Sequence, residues 1–240
     1  MSRRSNSKSK AKLTFHKLSW LEWIAIGFSL WFVLNPSPYK VLFVILMVIP
    51  ILGLVLNGLN GRPSIASLVR VKKNGEGEKE YDVADFIDIS ALAILIRIMK
   101  DYEFESYYSV IIPGTIAFVS VCLIVFATHR LIENSTPART WIYLTLFFNI
   151  FIYSFSGTYG INCVFDQSEA NVYNARVIDK KISKSRRSTS YYVKVTPWGH
   201  HLDSEKIEVG KSQFDDLEVG EHISIDVHEG LFSIPWYYIE

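Results

Sequence analysis

Uncharged apolar runs dominate the first two thirds of the chain, and the longest of them is Val41–Gly61. Lys40 and Arg62 bracket this run, and no charged residue lies between them. About 20 apolar residues are needed to cross the ~30 Å hydrocarbon core of a bilayer as a helix. Because lipid offers the backbone no hydrogen bonds, a helix is the expected form of such a run. The pattern therefore predicts a membrane-spanning helix here.

Three further apolar runs share this character, and they are Leu18–Leu34, Val110–Thr128 and Trp141–Tyr159. Short polar connections after the first and third runs predict two antiparallel hairpins, over residues 18–61 and 109–163. The sequence thus predicts an integral membrane α-helical protein with four transmembrane helices. Glu22 is the one acid of the first run, and its carboxylate is expected to reach back to the membrane interface.

Two polar segments flank the first hairpin. Residues 1–17 are basic and contain no acid, which predicts a disordered cytoplasmic tail. Within residues 62–108, also expected to be cytoplasmic, Asn74-Gly75 predicts a β-hairpin, with a plain flexible loop as the alternative. Asp82–Glu105 is expected to be an amphipathic helix, since acids come first and bases last. Its apolar centre is too short to span, so it should lie at the interface or pack on another part of the protein.

Alternation of apolar and polar positions replaces the long apolar runs over residues 171–240. In His222–His228, for example, Ile223, Ile225 and Val227 share one face. Five such segments separated by turn residues predict a small, soluble, all-β, barrel-like domain of the OB or SH3 type. Its aromatic core residues are expected to be Trp198, Trp236 and Tyr237.

Three segments of this domain also carry a resemblance. Tyr191–Val195 has the form Tyr-x-Val-x-Val, Leu217–Ile225 has the form L-x-V-G-x-x-I-x-I, and Gly230–Trp236 ends in Pro-Trp. Placed after helical spans, they resemble the β-module of uncharacterised bacterial multi-span membrane proteins of the DUF3592-like or NfeD-like kind. The resemblance covers about the last quarter of the chain. It implies a scaffold, regulatory or quality-control role at a membrane and carries over no catalytic residue.

The distribution of Lys and Arg predicts the orientation. With four spans and the N-terminus inside, the inner segments hold six, seven and nine of the 25 basic residues. The outer loops hold the remaining three, which are Lys40, Arg130 and Arg139. The expected location is the bacterial cytoplasmic membrane, with both termini and the β-domain in the cytoplasm.

Motifs for chemistry are sparse. The chain has no phosphate-binding glycine loop, no nucleophile elbow and no H-E-x-x-H zinc motif, so no enzyme activity and no cofactor are expected. Cys122 and Cys163 lack CxxC spacing and are expected to be apolar fillers. No metal site is expected, although histidines and aspartates cluster late in the chain. These residues are His200, His201, His222, His228, Asp203 and Asp226.

Two sets of residues remain as candidate contact sites. A basic patch is expected either to meet anionic lipid headgroups or to form a solvated hairpin tip. Its members are Lys180, Lys181, Lys184, Arg186 and Arg187. Asn149 lies near the centre of the fourth span, where it is expected to make an interhelical hydrogen bond, with a pore-lining role as the alternative.

The function expected from these features is that of a non-enzymatic membrane protein with a scaffold, regulatory or protein-binding role. Its partners would be the lipid bilayer, a protein and, as a further option, a second copy of the chain. Formal net charge is only +1, and with a membrane tether nucleic acid is not an expected partner. The alternatives are a membrane-type toxin-immunity protein, suggested by size and layout, and a channel or transporter subunit.

Overall fold

The computed structural model describes residues 18–59, 61–73, 79–136, 138–185 and 188–239. The expectations for the basic tail, for Asn74-Gly75 and for Arg186 and Arg187 lie outside these residues. The chain divides into two units. The helical unit comprises the chain up to Asp101 together with Tyr107–Phe165, and the sheet unit comprises Tyr102–Ser106 together with Asp166–Glu240.

Five α-helices form the described part of the helical unit. They are α1 (Ser19–Leu34), α2 (Tyr39–Leu59), α3 (Asp85–Asp101), α4 (Ile111–Thr128) and α5 (Arg139–Val164). Among the described residues, three segments are long and apolar enough to cross a membrane: α2, α5, and α4 with the 3-10 turn before it. The prediction of four such helices is therefore wrong by this measure, because the first apolar run forms a helix of only 16 residues.

A β-hairpin follows α2, as the sequence predicted. Its strands are β1 (Val69–Lys73) and β2 (Lys79–Val83), which pair antiparallel. The ring of Tyr81 on β2 stacks on Trp141 near the start of α5, with 6.4 Å between the ring centroids. The hairpin thus marks one end of the helical unit, here called the hairpin end.

Helix α3 runs along the bundle and packs on α1, α2 and α5. Phe86 near its start lies against Gly53 of α2, whereas Ile98 near its finish lies beside Gly160 of α5 and Phe43 of α2. The helix therefore runs antiparallel to α2, from the hairpin end to the opposite end. Of the two expectations for this segment, packing inside the protein is the one observed, and the helix is shorter than Asp82–Glu105.

The loop after α4 returns to the hairpin end. Gly58 of α2 lies against Thr128, the last residue of α4. Ser64 forms a parallel bridge with Arg130, with hydrogen bonds from Arg130 N to Pro63 O and from Ile65 N to Arg130 O, both 2.9 Å. The four-span prediction placed the segment after α2 and the segment after α4 on opposite sides of the membrane. The bridge between Ser64 and Arg130 contradicts that topology.

Buried polar contacts hold the hairpin end together. Glu22 is only 7% exposed and pairs with Arg70 of β1 at 3.1 Å. His129 accepts a hydrogen bond at Nε2 from Asn57 (3.0 Å) and donates from Nδ1 to the Thr128 hydroxyl (2.8 Å). Burial lowers the pKa of His129 to about 4, which fits this neutral tautomer.

The sheet unit is a single antiparallel sheet with the strand order β3-β8-β7-β4-β5-β6. Its strands are β3 (Glu103–Phe104), β4 (Asn171–Lys184), β5 (Thr189–Val195), β6 (Glu205–Val209), β7 (His222–His228) and β8 (Trp236–Ile239). A short helix, α6 (Lys211–Asp216), follows β6. All five strands predicted for this region are present, whereas β3 was not predicted.

The long strand β4 makes the sheet curl. Its first half, Asn171–Arg176, pairs with β7, and its second half pairs with β5 after a register shift between Val177 and Asp179. A bulge of this kind bends a strand and raises its twist. The outcome is a half-barrel in which β3 and β6 are the edges of the described sheet. Ile223, Ile225 and Val227 are buried, and Trp198, Trp236 and Tyr237 are buried as predicted.

The close approach of α3 to α2 provides a first test of this packing. A Cβ atom at Gly53 would overlap with the ring of Phe86, whereas one at Gly27 of α1 would meet no atom within 4 Å. We expect Gly53→Ala to lower the free energy of unfolding by about 1–3 kcal/mol, the usual cost of overpacking. Thermal unfolding of the purified protein in detergent measures this effect.

Gly27→Ala is the matched control. It should leave stability unchanged or raise it by up to ~1 kcal/mol, because alanine is the better helix former. Equal melting temperatures for the two variants would show that α3 does not pack on α2 in this way.

Candidate ligand-binding cavity in the sheet unit

Asp166 organises one end of the sheet unit. Its carboxylate accepts hydrogen bonds from the Ser168 amide (2.9 Å) and hydroxyl (3.0 Å), the Gly230 amide (3.1 Å) and the Trp236 indole (2.9 Å). Burial by itself would raise the pKa of this carboxyl, but the donors outweigh burial and hold the pKa below its ordinary value of 3.8. The charged group thereby fixes the turn between β7 and β8.

His228, at the end of β7, is positioned by the same network. Its ring stacks on Trp236 with 4.4 Å between centroids, and its Nδ1 lies 3.2 Å from the carbonyl oxygen of Ser168. Since a carbonyl can only accept, Nδ1 carries the proton. In the neutral ring Nε2 is then an acceptor, and it is buried without a partner among the described atoms.

Trp198 begins a tight turn closed by two hydrogen bonds between its backbone and that of His201, with N–O distances of 2.8 and 3.2 Å. Gly199 has φ +53°, which glycine adopts without strain. The indole packs on His201 (4.4 Å) and Tyr237 (5.3 Å) and is 4% exposed. Its Nε1 is also buried with no partner in the described part of the chain.

Trp198 and His228 line one cavity of about 290 Å³, here called the Trp198 cavity. Its other lining residues are Glu105, Asn171, Tyr173, Gly199, His200, Val227, Glu229 and Pro235. Buried polar groups are nearly always hydrogen-bonded, so unpaired ones require an explanation. The unpaired nitrogens of Trp198 and His228 are themselves closed to solvent, so the cavity is a candidate binding site on account of its aromatic and carboxylate walls.

The three described lysines of the predicted basic patch do not share one surface. The Lys180 amine donates to the Leu217 carbonyl and lies 4.3 Å from the centroid of the Phe214 ring, so it is bound to the sheet unit itself. Lys181 is exposed on the other face of β4, in a depression of about 250 Å³. Asp179, Tyr192, Lys194 and Lys206 line the rest of that depression. Lys184 is exposed at the end of β4.

Asn149 does not make the interhelical bond that was expected. Its side-chain amide donates to the carbonyl oxygen of Thr145, one turn earlier in the same helix, at 3.0 Å. This bond satisfies the amide within α5 and offers no support for a pore-lining role.

The late histidines do not converge on a metal site in the described residues. His200 and His228 line the Trp198 cavity, but His222 lies at the opposite end of β7. Three ligand atoms come within 4.8 Å of one another only at Asp82, Asp85 and Asp88, counting described residues alone. These three half-buried aspartates lie at the hairpin end. Groups of carboxylates like this one are common in proteins without a bound ion.

Sequence reasoning identified Trp198 only as a core residue and His228 only as a member of the histidine set. It missed Asp166, Glu105 and Tyr173. The usable local signals were the Asp-x-Ser spacing at Asp166, which favours a side-chain turn, and the Trp-Gly turn at Trp198. Comparison of the chain with models of protein families, with curated proteins and with solved structures finds no match.

Replacing the Asp166 carboxylate tests its role in the sheet unit. We expect Asp166→Asn to lower the free energy of unfolding of this unit by about 2–4 kcal/mol, because an amide cannot accept all four hydrogen bonds and carries no charge. Near-ultraviolet circular dichroism, which reports the packing of Trp236, measures the loss. Asp203→Asn, at an exposed carboxylate, is the matched control and should unfold like the wild type.

The Asp166 carboxylate should also make the free energy of unfolding of the sheet unit depend on pH. Its pKa is lower in the folded than in the unfolded state, so its contribution is complete above the unfolded value of about 3.8 and is lost as the pH falls through the folded value. The gap in stability between wild type and Asp166→Asn should therefore narrow in acid. A gap that stays constant would show that the charge contributes nothing.

Proposed function

We propose that the chain is an integral membrane protein in which all five helices of the helical unit cross the bilayer, and that its sheet unit is a recognition domain. The observation that carries the topology is the course of α3 from the hairpin end of the bundle to the opposite end. A helix that crosses between α2 and α4 makes the number of crossings odd. The N-terminus and the sheet unit then lie on opposite sides.

The charges of α3 support this course. Asp85 and Asp88 occupy its first turn at the hairpin end, and Arg97 and Asp101 pair at 2.6 Å near its finish. Between them, Ile89–Ile96 carries no charge. The helix is shorter than the ~20 residues of an average span, but α1 has only 16 residues as well. Two short helices packed side by side fit a locally thinned bilayer.

The basic residues support one orientation. The segments at the hairpin end carry thirteen Lys and Arg residues: six in the tail, five between Gly61 and Ala84, and Arg130 and Arg139. The opposite end of the helices carries Lys40, Arg97 and Lys100. The excess of positive charge assigns the hairpin end to the cytoplasm. The sheet unit then lies outside the cytoplasmic membrane, which reverses the location expected from four spans.

A non-enzymatic recognition role for the sheet unit rests on the Trp198 cavity. Trp198, Tyr173, Glu105 and Glu229 line the cavity, and His228 beside them is held by the Asp166 network rather than left free to move. Such fixed polar groups in an aromatic-walled cavity orient a bound molecule. The helices would anchor this domain at the membrane.

Labelling of engineered cysteines separates the two topologies. Ser135 lies in the loop after α4 and Ser204 in the sheet unit, and both are exposed. In a background without Cys122 and Cys163, we expect Ser204→Cys to react with a membrane-impermeant maleimide in intact cells and Ser135→Cys to react only after permeabilisation.

Each variant serves as the control for the other, because four spans with cytoplasmic termini require the reverse pattern. Reaction of Ser135→Cys in intact cells, with protection of Ser204→Cys, would overturn the five-crossing topology. Reaction of both variants in intact cells would show that Ser135 and Ser204 lie on the same side of the membrane, which would also overturn the five-crossing topology.

A further inference from the structure

We infer that the turn between β7 and β8 inserts its tip, Leu231 and Phe232, into the surface of the lipid bilayer. This inference rests on the proposal that the helical unit spans the membrane, and it makes the bilayer a direct partner of the sheet unit. It does not depend on which side the sheet unit occupies, because the chain enters the sheet unit at Asp166, directly after a membrane-spanning α5, in either topology.

The tip of this turn has an unusual composition. A backbone hydrogen bond from Ser233 N to Gly230 O (3.1 Å) closes a four-residue turn, and Leu231 and Phe232 are its two central residues. Such positions usually hold Gly, Pro, Asn, Asp or Ser. Here both side chains are large and apolar, and they are 52% and 45% exposed. In water, this corner would present two apolar groups side by side.

Hydrogen bonds on both sides of the turn hold the tip in place. Before the tip, Gly230 N donates to the Asp166 carboxylate at 3.1 Å. After the tip, Pro235 O accepts a hydrogen bond from Glu105 N at 3.3 Å. The two apolar side chains therefore belong to a fixed corner of the sheet unit.

Chain connectivity places this corner next to the membrane. Asp166 is two residues beyond Val164, the last residue of α5, so their Cα atoms lie within about 8 Å of each other. Glu105 is two residues before Tyr107, where the apolar span that contains α4 begins. The turn is thus hydrogen-bonded on one side to a residue that follows a membrane-spanning segment, and on the other to a residue that precedes one.

Two exposed tyrosines indicate the depth of this corner. Tyr107 and Tyr108, at the start of the span that contains α4, are 64% and 83% exposed. Tyrosine favours the headgroup region, because its ring is apolar and its hydroxyl is polar. The headgroup region is therefore expected at Tyr107, two residues from Glu105. At that depth, leucine and phenylalanine side chains gain free energy by leaving water for the acyl boundary.

The charges around the tip favour apolar insertion over electrostatic attachment. The segments that meet at this corner are residues 102–106, 166–170 and 229–239, and they contain five acids and no Lys or Arg. The acids are Glu103, Glu105, Asp166, Glu169 and Glu229. Anionic headgroups attract basic segments, so they do not attract this one. Insertion should therefore depend on the burial of the two apolar side chains.

Fluorescent probes at single cysteines test the inference on the full-length protein in phosphatidylcholine vesicles. In the background without Cys122 and Cys163, a nitrobenzoxadiazole probe is attached at Leu231→Cys. We expect its emission to be quenched by lipids that carry a nitroxide near the headgroup end of an acyl chain. Iodide in the water should quench it about threefold less than it quenches a water-exposed probe, because the tip lies at the boundary of headgroups and acyl chains.

Val219→Cys is the matched control. Val219 is also apolar and exposed in a turn (62%), but it precedes β7, whereas the tip follows it. A strand of seven residues spans about 20 Å, so the Val219 probe should be quenched by iodide and not by the nitroxide lipid. Each labelled protein should keep the near-ultraviolet circular dichroism of the wild type.

Leu123→Cys reports separately on the helical unit. Leu123 lies within α4 and is 63% exposed, so a probe there should face the acyl chains if α4 spans the bilayer. We expect quenching of this probe by nitroxide lipids and protection from iodide.

The outcomes separate the insertion from the membrane proposal on which it rests. If the Leu123 probe is quenched by nitroxide lipids while the Leu231 probe responds like the Val219 probe, the helices are in the bilayer and the turn is not, so the insertion is overturned. If the Leu123 probe responds only to iodide, the membrane proposal and the insertion both fall. If nitroxide quenching at Leu231 requires added phosphatidylglycerol, charge rather than apolar burial holds the turn, which also contradicts the inference.

Discussion

The packing of α3 against two glycines is the contact on which the helical unit depends. At Gly53 and Gly160 the absence of a side chain allows Phe86 and Ile98 to reach the backbones of α2 and α5. Small residues serve this purpose in membranes, where helices associate through close packing rather than through the hydrophobic effect. Because α3 lies along the bundle, the connections before and after it emerge at opposite ends, and the proposed odd number of crossings rests on this course.

The sequence predicted the elements correctly wherever the pattern of apolar and polar residues was regular. The apolar runs predicted α2, α4 and α5, and the alternation in His222–His228 predicted both β7 and its buried face. At Asp85–Asp101 it predicted the helix but left its position open between the interface and the interior, because charges at both ends of a short apolar stretch are also typical of an interfacial helix. Only tertiary contacts, such as that between Ile98 and Gly160, distinguish a helix packed inside a bundle from one that lies on its surface.

The Trp198 cavity was less predictable than the fold for a related reason. Its residues come from Glu105, from the turn at Trp198 and from β7, which are far apart in the chain. Local patterns describe each of them correctly, as a polar loop residue, a core aromatic and a strand-end histidine. Only the folded sheet unit brings them to the walls of one cavity, and this can be judged only once every neighbour is in position.

Strand β3 has a consequence for how the protein is made. Glu103 and Phe104 pair with Tyr237 and Trp236, so the edge strand of the sheet precedes α4 and α5 in the chain, whereas its partner follows them and the other strands of the sheet. Contacts between such distant parts of a chain are slow to form and leave unpaired strand edges exposed meanwhile. The sheet unit can therefore be completed only after α4, α5 and strands β4 to β7 have been synthesised. Until β8 arrives, β3 has no partner and the half-barrel stays open.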